Sequence, residues 1–199
     1  MPASKTAKSS RVALRGRKVV ASVESREHRT AAGHRLRKRV PRGRQAAWKV
    51  ARDHRDPIEI LKKSNRGRLP HLVPIRFGRM LQSPFAFLRG SAALMARDLA
   101  KTETTGLKVQ LCGDCHLMNF GLFATPERKL VFDLNDFDET QPGPWEWDVK
   151  RLAASFTVAA RDGGFSDRQA RGMVHACVSS YREAMRKCSR MSPLEIRYS

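Results

Sequence analysis

No stretch of this 199-residue chain approaches the roughly 18 apolar residues in a row that a membrane-crossing helix needs. The first residues lack the apolar segment of a secretory signal peptide, so the expected location is cytoplasmic and no membrane span is expected. Glycine-rich phosphate loops are missing as well, since neither GxxxxGK[ST] nor GxGxxG occurs. Cysteine is scarce: Cys112, Cys115, Cys177 and Cys188 are the four present. A structural zinc site would want a second close pair beside Cys112-x-x-Cys115, and Cys177 and Cys188 stand eleven apart on an expected helix. A redox pair would want to open a helix, whereas this one flanks Gly113-Asp114 at a strand end, where a carboxylate raises a thiol pKa. Neither zinc binding nor thiol redox chemistry is expected.

Acidic and aromatic residues are sparse in one place above all. From Met1 to Asp56, 17 Lys and Arg stand against 4 Asp and Glu, a net of +13 out of +20 for the chain, and Trp48 is the sole aromatic. Such a segment has too little apolar surface to offset the entropy of ordering it. Residues 1–55 therefore read as a mostly disordered basic arm, with a short helix expected over Gln45 to Asp53. Its charge suits salt-dependent, nonspecific contact with nucleic acid, anionic lipid or an acidic protein.

Residues 56–199 carry the core-forming pattern. Ile58 and Leu61 behind Pro57 predict a helix to about Lys63, and Leu72 to Leu81 fits either a helix or extended chain. Ser83-Pro-Phe-Ala-Phe-Leu-Arg-Gly90 reads as a short apolar strand closed by glycine, and Ser91 as the N-cap of a helix over AALMARDLA. Lys108 to Cys112, Phe120 to Ala124 and Leu130 to Leu134 read as strands, the last two joined into a hairpin by TPERK. The segment QPGP reads as a break, followed by a helix from Trp145-Glu-Trp-Asp148 to about Ala160 with Val149, Leu152, Ala153, Phe156 and Ala160 on one face. Asp162-Gly-Gly-Phe-Ser-Asp reads as a turn and Arg168 to Arg190 as a long basic helix. The fold class is α+β.

What is abundant is aspartate between Gln110 and Asp148: Asp114, Asp133, Asp136, Asp138 and Asp148 cluster there with His116 and Asn119. Asp148 is expected to brace a loop from a helix start, where free amides favour a carboxylate, and His116 to brace the loop by hydrogen bonding. For Asp114, Asn119 and the acids of the next loop the expected role is magnesium and phosphate chemistry, because carboxylates on adjacent loops repel and a divalent cation is the usual remedy. An EF-hand calcium loop fails on spacing. Counted from Asp133, Phe137 fills the fifth position and glycine is missing at the sixth; counted from Asp136, the twelfth is Trp147.

Gly113-Asp114-Cys115-His116-Leu117-Met118-Asn119, then Asp136-Phe137-Asp138, then Asp148 resembles the order found in aminoglycoside phosphotransferase-like kinases, whose fold is protein-kinase-like. Together SPFAFLRG, GDCHLMNFG and VFDLNDFDETQPGPWEWDVKRLAAS closely resemble the bacterial family called domain of unknown function 2252, thought to be a distant relative of those kinases, over about Asp56 to Arg190. The resemblance implies a kinase-like core binding ATP and Mg2+, with Asp114 as catalytic base and Asn119 and Asp136 as metal ligands, Asp133 or Asp138 being alternates. Arg89, after the expected strand in SPFAFLRG, is the candidate phosphate-contacting cation, and His116 is a second candidate cofactor contact. Relatives running to about twice this length imply a C-terminal lobe that is incomplete here, with Phe156 and Met173 to Met185 partly uncovered. The expected function is a phosphotransferase of unknown acceptor, with adenylyl transfer as a variant; the alternative is a noncatalytic protein that binds nucleic acid or an acidic partner through its basic segments.

Overall fold

Aspartate and proline start the domain as their chemistry dictates: the Asp56 carboxylate accepts the Ile58 N–H at 2.8 Å, and Pro57 occupies the first turn of a helix. The computed structural model describes residues 24–47 and 56–197. Its helices are α1 (Arg26–Arg39), α2 (Pro57–Ser64), α3 (Val73–Met80), α4 (Pro84–Gly90), α5 (Ala92–Leu99), α6 (Glu146–Asp162), α7 (Asp167–Cys188) and α8 (Pro193–Arg197). The strands are β1 (Lys108–Leu111), β2 (Phe120–Ala124), β3 (Leu130–Leu134) and β4 (Gln141–Pro144). This mixture is α+β, and among the described residues no helix is long and apolar enough to cross a membrane.

Several expectations are corrected. SPFAFLRG is a helix, α4, because the Ser83 hydroxyl accepts the Ala86 N–H at 3.1 Å and Pro84 presets the first turn, which outweighs a short apolar run compatible with either structure. Ser91 precedes α5 without capping it; its hydroxyl donates instead to the Leu88 carbonyl at 3.1 Å. QPGP is no break but β4, antiparallel to β1 with Lys108 opposite Pro144 and Leu111 opposite Gln141. Prolines fit there because a two-stranded ladder has only edges. Gly143 in β4 admits Leu111, whose Cδ1 would lie 2.5 Å from any Cβ at that position, and Leu111 is thereby almost wholly buried.

The basic arm holds more structure than its composition suggests: α1 occupies 26–39, capped by Ser25, whose side chain accepts the His28 N–H at 3.2 Å. It is tied to the domain by Arg39, which donates to the Thr105 carbonyl, by buried Val40, and by Arg44 against Glu103 at 3.2 Å. Of the expected helix over 45–53, residues 45 and 46 close a 3-10 turn that begins at Arg42, and 48–53 lie outside the described residues. Between Leu72 and Leu81 the chain is helical, as α3, and α8 is a short capped turn the sequence pattern did not suggest.

α6 is the central element, packing on α4, α5 and α7. Its expected apolar face is there, yet Val149, Leu152, Ala153 and Phe156 are only half-buried. The deepest positions besides Ala160 are Glu146, Arg151 and Ser155, which serve polar loops rather than the core. α7 begins with a capping box between Ser166 and Gln169; Met173 on it is half-buried, and Val178 and Met185 are exposed. The β2–β3 hairpin pairs Phe120 with Leu134 and Ala124 with Leu130, as its alternation predicts.

Candidate functional site

One side of α6 builds the site. Asp148, Arg151 and Ser155 follow i, i+3, i+7 spacing and so share a helix face, and each reaches a different point of the loop from Cys112 to Leu117. The Asp148 carboxylate accepts the Cys112 N–H at 2.8 Å and the Gly113 N–H at 3.1 Å. Arg151 donates to Asp114 through Nε at 2.8 Å and through Nη2, and to the Leu88 carbonyl at 2.6 Å. The Ser155 hydroxyl accepts the Leu117 N–H at 3.0 Å. Asp148 thus braces a loop from a helix start, as expected, although the amides it accepts belong to the loop and not to its own helix.

Gly113 makes the bend that turns Asp114 toward Arg151. Its φ of +82° lies in the left-handed region open to glycine, and a Cβ there would stand 2.0 Å from the Glu139 carbonyl oxygen. Beyond the bend, Asp114 sits between Arg151 and His116, whose Nε2 is 3.5 Å from Oδ2. Burial pushes the Asp114 carboxyl up, but the hydrogen bond from His116 and the Arg151 guanidinium outweigh it and hold the group below the usual carboxylate range. Asp148 goes the other way: burial exceeds the help of its two amide donors and pushes its carboxyl up. His116 is buried, edge-on to Phe85, with Nδ1 unpartnered among the described residues.

Asn119 joins the two loops. Its Nδ2 donates to the Asp114 carbonyl at 3.1 Å and the Asp136 carbonyl at 3.0 Å, and contacts Cys112 Sγ at 3.3 Å, while its Oδ1 accepts the Asp136 N–H at 3.0 Å. At 4% exposure all of its amide is spent on protein groups. Asp136 and Asp138 follow, both exposed, with the Asp138 N–H donating to the Asp136 carboxylate at 2.9 Å. The structure therefore assembles Asp114, His116, Asn119 and Asp136 and sets Asp138 alongside. It leaves Asp133 apart: on β3, opposite Gly121, that exposed carboxylate accepts its neighbour's amide, Leu134 N, at 2.8 Å. Arg89 is exposed on α4, and the guanidinium that meets Asp114 is Arg151's. Sequence reasoning missed Arg151, whose only linear signal is a cation one turn after Asp148 inside an otherwise amphipathic helix.

Among the described residues no three His, Cys, Asp or Glu side chains gather as a metal cage. Cys112 and Cys115 are free and buried; their mutual hydrogen bond and burial push the Cys115 thiol far up, which suits packing. Magnesium is held differently from caged ions, by one or two carboxylates together with substrate phosphates and water, and the exposed carboxylates of Asp136 and Asp138 fit that mode.

Residues 68–199 match the family described as "Uncharacterized protein conserved in bacteria (DUF2252)". The chain belongs to this family. No curated protein and no solved structure matches it.

Proposed function

We propose that this member of the family is a phosphotransferase-like domain with a kinase-like core, which binds ATP with Mg2+ and transfers a phosphoryl group to an acceptor of unknown identity. The observation that carries the reading is the Asn119 clamp: one buried amide bonds the backbone of both Asp114 and Asp136, so the loop of the base and the loop of the metal-binding carboxylate move as one body. Kinase-type catalysis rests on such fixed positioning, because the chemistry itself asks little of the protein beyond orientation and charge stabilisation. Asp114, kept ionised by His116 and Arg151, is suited to accept a hydrogen bond from an acceptor hydroxyl and orient it. Asp136, with Asn119 beside it and Asp138 flanking, would hold the magnesium ion, which supplies neutralisation of phosphate charge. Arg89 remains the proposed cofactor contact, and His116, buried beside Asp114, serves the cofactor site by holding that carboxylate.

The test is thermal melting with and without magnesium-ATP, followed by incubation with γ-labelled and α-labelled ATP. Ligand at a hundred times its dissociation constant adds about 2.7 kcal/mol of stability, so the melting temperature should rise, and Asp136→Ala should abolish the rise. Label from the γ position supports phosphoryl transfer, and label from the α position adenylyl transfer. Turnover at the parental rate in Asp114→Asn would remove that residue from its assigned role. A melt indifferent to nucleotide, with salt-sensitive binding to polyanions, would favour the noncatalytic reading, which draws support from the exposure of α1 and its Arg26, Arg29, Arg35, Arg37 and Lys38.

A further inference from the structure

Arg76 is a half-buried guanidinium on α3 whose hydrogen bonds go to neutral oxygens: the Asn65 side-chain carbonyl at 2.7 Å and the Gly90 backbone carbonyl at 2.5 Å. No carboxylate among the described residues pairs with it, although a cation drawn partly out of water ordinarily finds one. A second guanidinium is held by the residue before Asn65. Arg68 donates to the Ser64 carbonyl at 3.4 Å, one residue from the Asn65 that holds Arg76, and to Glu139 at 3.3 Å. Burial first, and Arg68 second, disfavour the charge on Arg76, while Glu139 and Asp114 favour it. The position of this pair relative to the site follows from Gly113, against which the Glu139 backbone is pressed. Arg68 is therefore anchored to the residue that touches the Asp114 loop, and Arg76 to the end of α4, the same helix end whose Leu88 carbonyl receives Arg151. The two guanidiniums are tied to the adjacent residues Ser64 and Asn65, Glu139 pairs with Arg68 and not with Arg76, and N–H donors are left to spare; phosphate is the oxyanion that matches a planar guanidinium fork.

We propose that Arg76 and Arg68 form an anion-receiving subsite beside Asp114 that takes the oxygens of a phosphate group. The proposal rests on the phosphotransferase reading for which phosphate is meant, the nucleotide chain or a phosphorylated acceptor, and stands without it for the binding itself. Calorimetric titration of the full chain with inorganic triphosphate and with inorganic phosphate, at about 0.15 M salt to screen the basic arm, tests it. Arg76→Gln should weaken binding about tenfold, the loss expected for charge-assisted bonds, whereas Lys129→Gln, which removes the same charge from the exposed β2–β3 turn, should leave it unchanged. Arg76→Gln also removes bonds to Asn65 and Gly90, so Arg68→Gln, at an exposed position, is the second variant and should weaken binding about threefold or more. Triphosphate binding tighter than phosphate assigns the subsite to the nucleotide; equal binding assigns it to a single phosphoryl group. Unchanged affinity in Arg68→Gln and in a folded Arg76→Gln, or equal weakening by Lys129→Gln, overturns the subsite. Triphosphate binding lost in Arg76→Gln with no label transferred by the parent would keep the subsite and sink the phosphotransferase reading. Normal transfer by Arg76→Gln would do the reverse.

Discussion

Replacing Arg151 by methionine should be among the costliest single changes in this chain. The side chain is 3% exposed and meets Asp114 through two nitrogens, so methionine refills most of the volume but orphans a carboxylate. Breaking a buried pair in this way costs about 3–5 kcal/mol. The lower end applies, because about a quarter of the Asp114 side chain still meets water, at 24% exposure, and His116 remains beside it. The Leu88 carbonyl keeps its bonds from the Ser91 amide and hydroxyl and adds little to the loss. With a urea dependence of about 2 kcal/mol per molar for a domain of this size, 3 kcal/mol moves the unfolding midpoint down by about 1.5 M. Acid sensitivity supplies an independent sign. Asp114 is held below its unfolded value, so its contribution is present above about pH 3.9 and is lost as pH falls through the lower folded value. Without Arg151 the folded value moves up, and that contribution shrinks at every pH above it. Asp114→Asn in the Arg151→Met background should recover part of the loss, since it removes the orphaned charge, giving a coupling of about 1.5 kcal/mol or more in the double-mutant cycle. A midpoint within 0.3 M of the parent, an approximate measurement limit, or strictly additive single variants would refute the reasoning.

Three further changes test the rest of the site. Gly113→Ala forces a Cβ to within 2.0 Å of the Glu139 carbonyl at a positive φ and should cost more than about 2 kcal/mol by urea titration, if soluble protein is recovered at all. Asn119→Asp should be worse than Asn119→Ala, because it turns a donor facing the Asp114 and Asp136 carbonyls into a charge facing them; equal melting temperatures would count against the clamp. Asp148→Ala leaves the Cys112 and Gly113 amides without their acceptor, about 1–3 kcal/mol each where buried. Because the folded Asp148 carboxyl lies above its unfolded value, its titration favours the fold below about pH 3.9 and that benefit is lost as pH rises through the folded value, opposite to Asp114. The alanine variant should lose this component of the stability-against-pH curve.

Local chemistry settled a good deal by itself. Periodicity and turn residues marked the β2–β3 hairpin, α6 and α7, and Pro57 with Ile58 and Leu61 marked α2, because helix and hairpin starts depend on neighbours a few residues apart. The crowding of aspartates singled out the candidate site, and SPFAFLRG, GDCHLMNFG and the segment from Val131 to Ser155 pointed to the family. Tertiary contacts decided the rest. A short apolar run such as SPFAFLRG satisfies both periods, and the Ser83 cap together with packing on α3 and α6 made it a helix; QPGP became a strand because β1 lay beside it. Above all, the cation for Asp114 is 37 residues away on α6, and the two arginines beside the loop come from 46 and 38 residues before it. No local spacing encodes those distances; only the packing of α6 under the loop, and the reach of Arg68 from the turn after α2 to Glu139 beside Gly113, bring scattered charges together at the candidate site.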